Sequence, residues 1–325
     1  MRILQATQQV NSAQGITPTA RAQNFYQRVL NLSQFLRVSE NFRIRATEHQ
    51  SRISEGNQSL SNRAINDDFT AESLNPASLV AGMLKIAGFK LEFDETYSAD
   101  MNLGVGIEVQ NWFDDQLDDK FYSTAKGIEK KIFAGSGTGD EVAGLLTVLD
   151  GTNVSGFTQT FVIDALTGSG LATNSFDLGN KDNWGTFLEL FNQWKKEVEG
   201  NPVVYVNRTM AGRLTNIFAS RNLYTRQEDA FGQNVDVISG IDMIELDDSV
   251  ITNTETDNAS GTDTTSIILA SENESMWSIN TNSGMFFRDL GQVPGATKPT
   301  MDFEFRAKNE IRRQRAVRRI RNIKL

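Results

Sequence analysis

A run of apolar residues between positions 105 and 133 constrains the fold of this chain more than any other feature. These residues recur mostly at steps of three or four, which is the pattern of a helix with one buried face. They are Val105, Val109, Trp112, Phe113, Leu117, Phe121, Ala125, Ile128 and Ile132. About 29 residues at about 1.5 Å each give a rod of roughly 43 Å. We predict a spine helix whose core is Val109, Trp112, Phe113, Phe121, Ile128 and Ile132.

Glycines follow this helix directly. Gly135, Gly137 and Gly139 can adopt the left-handed backbone conformations that end a helix. The stretch GSGTGD (135–140) superficially resembles a nucleotide-binding loop, but such loops follow a strand and open a helix. This stretch follows a helix instead, so we predict that the three glycines form a hinge or turn.

The composition argues against most kinds of catalytic site. The chain has no cysteine and a single histidine, His49, so thiolate ligands are absent and histidine chemistry is disfavoured. No phosphate-binding GxxxxGK[ST] motif occurs. We predict that the chain is not an enzyme and binds no cofactor or metal. The alternative is a mixed α/β enzyme that uses carboxylates, which requires a deep pocket with converging acidic side chains.

The sequence shows no signal for a membrane. No stretch approaches the roughly 18 consecutive apolar residues of a membrane-spanning helix. Residues 1–14 also lack the apolar core of a secretory signal. We therefore expect a soluble intracellular protein with no membrane partner.

Charge is distributed unevenly along the chain. The net charge is −9, but residues 306–325 contain nine basic residues and one acidic residue. This segment therefore carries +8 and the other 305 residues carry −17, which suggests contact with a polyanion or an acidic surface. The candidate contact residues are Arg312, Arg313, Arg315, Arg318, Arg319, Arg321 and Lys324. Pairing with another subunit, completion of the fold and contact with DNA phosphates all remain open, as do strand and helix.

Residues 41–94 have the pattern of a two-stranded excursion. Apolar and polar residues alternate near 42–47 and again near 84–93, and a polar stretch separates them. A lone two-stranded ribbon is only marginally stable in water. We therefore expect this ribbon to pack on a neighbouring chain, with inter-subunit contacts from Arg43, Arg45, Lys85 and Lys90.

The second half of the chain mixes helices and strands. We predict a helix from about Trp184 to Val198, a strand at 203–206 and a helix capped by Asn207. Further short strands follow, beginning at 235–238 and 241–246. Together with the spine helix, these elements indicate the α+β class.

The order of these pieces resembles that of tailed-bacteriophage major capsid proteins, which have the Hong Kong 97-like fold. Residues 127–146, GIEKKIFAGSGTGDEVAGLL, look like the end of that family's spine helix and the following glycine turn. Residues 201–218 and 229–248 are similar to the strand, helix and hairpin of its axial domain. The basic end, AVRRIRNIKL (316–325), is similar to a closing strand of its peripheral domain.

The resemblance implies a division of the chain into segments. Residues 1–40 would be an N-terminal arm, and residues 41–94 an extended loop lying across an adjacent subunit. Residues 95–150 and 291–325 would form the peripheral domain around the spine, and residues 151–290 the axial domain.

The resemblance also implies a function. The chain would assemble with itself into hexamers and pentamers of an icosahedral shell that encloses phage double-stranded DNA, held non-specifically. Its place would be the virion capsid, after assembly in the host cytoplasm. A separate scaffolding protein, a portal and decoration proteins would be partners. The alternative is a nucleic-acid-binding protein that acts through its basic end.

Overall fold

The computed structural model describes residues 27–39, 41–43, 48–53, 79–92, 108–149, 162–164, 176–229, 232–254, 264–281, 285–292 and 299–325. The labelled helices are α1 (Gln34–Val38), α2 (Glu108–Ala134), α3 (Leu145–Val148), α4 (Trp184–Glu197) and α5 (Arg208–Ala219). The first strands are β1 (Asn41–Arg43), β2 (Glu48–Arg52), β3 (Leu79–Met83), β4 (Lys85–Glu92), β5 (Val162–Asp164), β6 (Val203–Asn207) and β7 (Tyr224–Glu228). The later strands are β8 (Asn234–Ile238), β9 (Ile241–Leu246), β10 (Thr264–Ala270), β11 (Trp277–Thr281), β12 (Met285–Gln292), β13 (Pro299–Ile311) and β14 (Val317–Lys324). Residues 27–32 are also helical.

Helix α2 is the predicted spine. It runs over 27 residues, and the first three residues of the predicted range, 105–107, lie outside the described residues. Four members of the predicted apolar stripe are buried, which confirms the stripe over the second half of the helix: Phe121, Ala125, Ile128 and Ile132. The side chains of Val109, Trp112 and Phe113 lie outside the described part of the structure.

A seven-stranded sheet forms the larger layer, in the order β5-β14-β10-β6-β9-β8-β7. Strand β10 is buried along its whole length because both faces of the sheet are covered. Ile267 and Leu269 face helices α4 and α5, while Ile268 and Ala270 face the core that contains α2. This is the period-two alternation of a strand with an apolar layer on each side.

The helices of this layer match the predictions closely. Helix α4 buries Phe187, Phe191 and Trp194. At the start of α5, the Asn207 side-chain oxygen accepts a hydrogen bond from the Met210 backbone amide at 2.8 Å, which confirms the predicted cap.

A five-stranded sheet forms the second layer and is organised around β13. This strand pairs with β11, β12 and β4, and β1 pairs with β11. Its inward row consists of Met301, Phe303, Phe305 and Ala307. The residues between them, on the other face of β13, are charged and form cross-strand ion pairs. One of these joins Arg288 to Asp302 at 2.8 Å. The sheet is therefore apolar on one face and charged on the other.

The basic end is a strand, β14, but it lies in the seven-stranded sheet, between β10 and β5. Strands β11 and β12, the second of which runs to Gln292, belong to the five-stranded sheet. The predicted axial and peripheral domains stay a prediction, but the two sheets do not divide at 290/291. Strand β14 lies beside β10 because β10 is buried on both faces, so the strand next to it must also carry apolar side chains on both faces. Strand β14 supplies Val317 to one core and Ile320 to the other.

Phe133, at the end of α2, joins the two layers. Its ring centroid lies 4.9 Å from that of Phe35 in α1, 5.2 Å from that of Tyr205 in β6 and 6.2 Å from that of Trp277 in β11. All four side chains are almost fully buried. One aromatic cluster therefore holds the spine, both sheets and the N-terminal helix together.

We predict that Phe133→Ala lowers the free energy of unfolding by about 3–5 kcal/mol, because it opens a cavity among rings that cannot collapse onto it. Chemical denaturation of the purified chain measures this loss. Tyr122→Ala is the control on the same helix: Tyr122 is 47 % exposed, and its loss should cost less than about 1 kcal/mol. Equal losses for the two variants would contradict the role given to Phe133.

Candidate functional site

The predicted ribbon is present at its base. Strands β2 and β3 pair antiparallel from Glu48 opposite Met83 to Arg52 opposite Leu79, so a two-stranded ribbon is present. The two runs that predicted it do not form it, because β1 pairs with β11 and β4 pairs with β13 of the same chain. Residues 54–78, which include the predicted polar tip, lie outside the described residues.

Strand β4 continues from the ribbon into the five-stranded sheet. Its burial alternates along the strand, with Phe89 stacked on Phe303 at 5.4 Å between ring centroids. The predicted placement of Leu84 and Ile86 on one face is wrong, because Leu84 is buried and Ile86 is exposed. Ile86 points outward and is 57 % exposed, and Met83 at the end of β3 is 62 % exposed. Two large apolar side chains thus lie on the surface three residues apart.

The four predicted contact residues of this region have different environments. Lys85 Nζ donates a hydrogen bond to the Gly139 carbonyl oxygen at 2.7 Å, so it ties β4 to the glycine turn of its own chain. Lys90 pairs with Glu92 at 2.6 Å on the exposed face of β4. Arg45 and the side chain of Arg43 lie outside the described residues. The inter-subunit role of these four residues stays a prediction.

A cavity of about 570 Å³ lies between β4, α2 and the glycine turn. Its apolar wall includes Phe89, Ile128 and Phe305, and its polar rim includes Lys131 and Glu141. Hydrogen bonds from Lys131 and Ser136 hold the pKa of Glu141 down at about 2. This carboxylate is therefore ionised and paired at neutral pH, which argues against a role as general acid.

The three predicted glycines form a turn. Gly137 and Gly139 have positive φ angles of 70° and 58°, in the left-handed region that favours glycine. Gly135 is required for a different reason. A Cβ atom there would lie 2.2 Å from the Val142 carbonyl oxygen and 2.7 Å from the Lys131 carbonyl oxygen.

Hydrogen bonds make this turn rigid. The Gly144 amide donates to the Gly135 carbonyl oxygen at 2.8 Å. Asn309 Nδ2, on β13, donates to the carbonyl oxygens of Ile132 at 2.7 Å and Ala143 at 2.8 Å. It thereby satisfies an otherwise free carbonyl at the helix end. Of the two predicted possibilities, the geometry favours a fixed turn over a hinge.

We predict that Gly135→Ala lowers the free energy of unfolding by about 2–3 kcal/mol, because the added methyl group meets backbone atoms that cannot move freely. Thermal and chemical denaturation measure the change. Gly127→Ala, inside α2, is the matched control: nothing lies within 4 Å of a Cβ atom there. That variant should gain about 0.5–1 kcal/mol from helix propensity. A loss at Gly127, or none at Gly135, would contradict this account.

The segment 33–39 contacts three parts of the chain. The apolar spacing over 25–35 predicts a short helix with Phe35 on its apolar side, but it does not predict these contacts. Gln34 reaches the edge of β9, where its Oε1 accepts from the Glu245 amide at 3.1 Å. Arg37 pairs with Asp229 at 3.1 Å, with both side chains buried. Ser39 Oγ donates to Glu272 Oε1 at 2.7 Å. Together with Phe35 in the aromatic cluster, these contacts fix the segment across the junction of the two sheets.

Glu129 on α2 is the most unusual charged residue of this junction. It is only 6 % exposed and accepts a short hydrogen bond from Ser33 Oγ. Burial raises its pKa to about 7, the Ser33 hydrogen bond and Lys126 oppose the shift, and Asp247 adds to it. The sequence contained a signal, because Glu129 lies four residues after Ala125 on the apolar stripe.

The interior of the fold uses part of the basic end. Arg318 and Arg319 are 6 % and 8 % exposed. Arg318 contacts Glu197 at 3.3 Å. Arg319 donates to the carbonyl oxygens of Leu146 and Leu149 at 3.0 and 3.3 Å, at the end of α3. Because both side chains are buried and bonded within the chain, their geometry favours a role in completing the fold over contact with DNA or a neighbouring subunit.

The other basic residues of this end lie nearer the surface and also have acidic partners. Arg312 is 3.0 Å from Glu310, Arg315 is 3.4 Å and Arg313 3.9 Å from Glu199, and Lys324 is 3.3 Å from Asp177. Arg321 is half-buried on β14. Their role toward DNA or another subunit stays a prediction.

We predict that Arg319→Lys lowers the free energy of unfolding by about 1–3 kcal/mol. The ammonium group cannot reproduce the forked set of donors that now serves two carbonyl groups and Ser266. Arg315→Lys, at a 59 % exposed side chain, is the control and should change stability by less than about 0.5 kcal/mol. Denaturant unfolding of both variants checks this, and an unchanged Arg319→Lys protein would refute it.

The described residues contain neither a metal-binding cluster of histidine and acidic side chains nor a membrane-spanning helix. Within them, no three histidine or acidic side chains lie close enough together to hold a metal ion. No helix in the same ranges is long and apolar enough to cross a lipid bilayer.

Comparison with known proteins identifies the fold. No protein-family model and no curated protein matches the sequence. Among solved structures, the capsid of a native GTA particle matches with a TM-score of 0.58 at 12 % identity, over 90 % of each chain. The chain has the Hong Kong 97-like capsid fold. The predicted resemblance to tailed-phage capsid proteins is thus confirmed at the level of the fold.

Two other structures with this fold differ in kind. The SrpI encapsulin of Synechococcus elongatus PCC 7942 matches at 13 % identity and a TM-score of 0.54, over 97 % of this chain and 95 % of its own. The capsid of Cyanophage P-SCSP1u matches at 12 % identity and a TM-score of 0.50, over 88 % and 86 %. The fold therefore occurs in both phage capsids and an encapsulin.

Proposed function

We propose that this chain is a structural major capsid protein. It assembles into hexamers and pentamers of an icosahedral shell that encloses phage double-stranded DNA, and it has no enzymatic activity. The observation that carries the proposal is the fold shared with a GTA capsid subunit over 90 % of both chains. A match along nearly the whole length leaves little of the chain for a separate catalytic domain.

The surface of the chain supports association with further copies. Strand β4 pairs with β13 along one edge, and no strand within the described ranges pairs with its other edge. The exposed side chains of Met83 and Ile86 lie at this strand and the adjoining ribbon. Exposed apolar side chains beside an open strand edge favour burial by a partner. The partner proposed here is the same chain, since head-to-tail contacts between identical subunits close into rings.

The charge distribution supports loose retention of DNA rather than tight binding. The net charge is −9, so most of the surface repels phosphate groups. The basic end, which made a nucleic-acid-binding protein the alternative, places Arg318 and Arg319 inside the fold. With several of its cations paired internally, that end is poorly suited to be a main DNA-binding surface. Any attraction to DNA comes from its outer residues and is weakened by salt.

We also propose where this protein acts and which proteins it meets there. The subunit is placed in the virion capsid, and assembly takes place in the host cytoplasm. A separate scaffolding protein, a portal and decoration proteins are proposed as further partners, as in the phage family that the sequence resembles. No membrane takes part in this scheme.

Electron microscopy of the purified chain tests the proposal. We expect regular closed particles or ring-shaped capsomers, and nuclease-protected double-stranded DNA in particles isolated from the natural source. Particles that contain only protein cargo would support the formation of a shell but contradict the proposed enclosure of a phage genome. A chain that remains monomeric at every concentration, with and without co-expressed phage proteins, would overturn the proposal.

A loop variant separates assembly from folding. Residue pairing in the ribbon ends at Arg52 opposite Leu79, so a short turn that replaces residues 54–77 can close the hairpin. We expect this variant to fold with unchanged thermal stability and to lose particle formation, because the excursion is proposed to bind a neighbour. The control replaces residues 255–263, which lie between β9 and β10 in the sequence, by a short linker. Loss of assembly in the control alone would contradict the role of the excursion.

A further inference from the structure

Two contacts, Ser33 with Glu129 and Lys126 with Asp247, link three elements of the fold. Ser33 lies at the start of α1, Glu129 lies on α2, and Asp247 follows the end of β9. Lys126, one turn before Glu129, is 2.6 Å from Asp247. The four side chains therefore form one cluster where the N-terminal segment, the spine and the seven-stranded sheet meet.

Ser33 uses its hydroxyl group twice. The oxygen accepts a hydrogen bond from the Leu36 amide at 3.0 Å and so caps α1, while its hydrogen is donated to Glu129. The same atom thus fixes the start of the helix and solvates the buried carboxyl group. Any change in the charge of Glu129 acts directly on the cap of α1.

The charges around Glu129 do not neutralise it. Lys126 is the cation that lowers the pKa of Glu129, but Lys126 is already paired with Asp247. Arg37 is the only charged residue of α1, and it is paired with Asp229. Asp247 itself repels a second negative charge. Within the part of the chain that the structure describes, an ionised Glu129 is therefore a buried anion with one hydroxyl donor, Ser33, and a nearby like charge, which is an unfavourable arrangement.

We propose that Ser33, Lys126, Glu129 and Asp247 form a proton-sensitive joint that holds segment 33–39 on the spine helix more weakly as Glu129 ionises. The joint is fully effective when the carboxyl group is neutral. It weakens when the group becomes charged, because opening lets water reach the carboxylate. Since all four groups belong to one chain, the inference does not depend on shell formation.

The direction of the pH effect follows from the raised pKa. Glu129 binds its proton with a pKa of about 7 in the docked state and about 4.5 when hydrated. The docked state is thus most favoured below pH 4.5, and the advantage is lost as the pH rises to 7. Above pH 7 both states are ionised and the equilibrium levels off. Between pH 6 and pH 8, opening should increase about tenfold.

Hydrogen exchange of the native protein, followed by mass spectrometry, tests this joint. Three amides of the segment report on docking: those of Leu36, Arg37 and Ser39, each bonded within 33–39. After correction for the intrinsic pH dependence of exchange, their protection should fall about tenfold from pH 6 to pH 8. The Glu129→Gln variant should lose this dependence. Asp119→Asn, at an exposed acid on the same helix, should keep it.

A second variant keeps the test valid if Glu129→Gln fails to fold. The Ser33 hydrogen bond lowers the pKa of Glu129, so Ser33→Ala should extend the loss of protection beyond pH 7. A purely structural cap would lower protection equally at every pH. Ser33→Thr should restore the wild-type profile. A pH-independent wild type, or a Ser33→Ala profile parallel to wild type, would overturn the proposal.

Discussion

The packing of Phe133 against rings from both sheets is the contact on which the rest of the structure depends. The spine helix alone would bury only one face, and each sheet alone would leave an apolar face in water. At Phe133 these faces meet in one core, with Phe35 from the N-terminal helix and Trp277 from the five-stranded sheet. The positions of the glycine turn and of segment 33–39 follow from this junction.

Polar groups at the junction are placed where packing leaves them no water. Asn309 satisfies helix-end carbonyl groups, Arg319 satisfies those of the short helix after the turn, and Ser33 serves Glu129. The Asn309 amide is neutral, and the Arg319 guanidinium donates to carbonyl oxygens. Glu129, with its pKa raised to about 7, changes its charge near neutrality. The junction therefore contains an adjustable contact.

The regular elements could be predicted wherever one periodicity dominated the sequence. The second half of α2, helix α4 and the Asn207 cap follow from apolar spacing and local hydrogen bonding, because both act within a few residues. The sheet to which β14 belongs could not be predicted in this way. The basic composition of β14 left completion of the fold, pairing with another subunit and contact with DNA open. Burial of Arg318 and Arg319 depends on Glu197 and on carbonyl groups more than 100 residues away.

The sequence by itself determined the spine, the glycine turn and the absence of cysteine chemistry, since each depends on local spacing or composition. The tertiary structure decided which sheet each strand joins, why Gly135 must be glycine and what surrounds Glu129. These properties depend on close approach between residues far apart in the chain, such as Ser33 and Glu129. Local periodicity carries no information about such approaches, because only the packing of the whole core sets them.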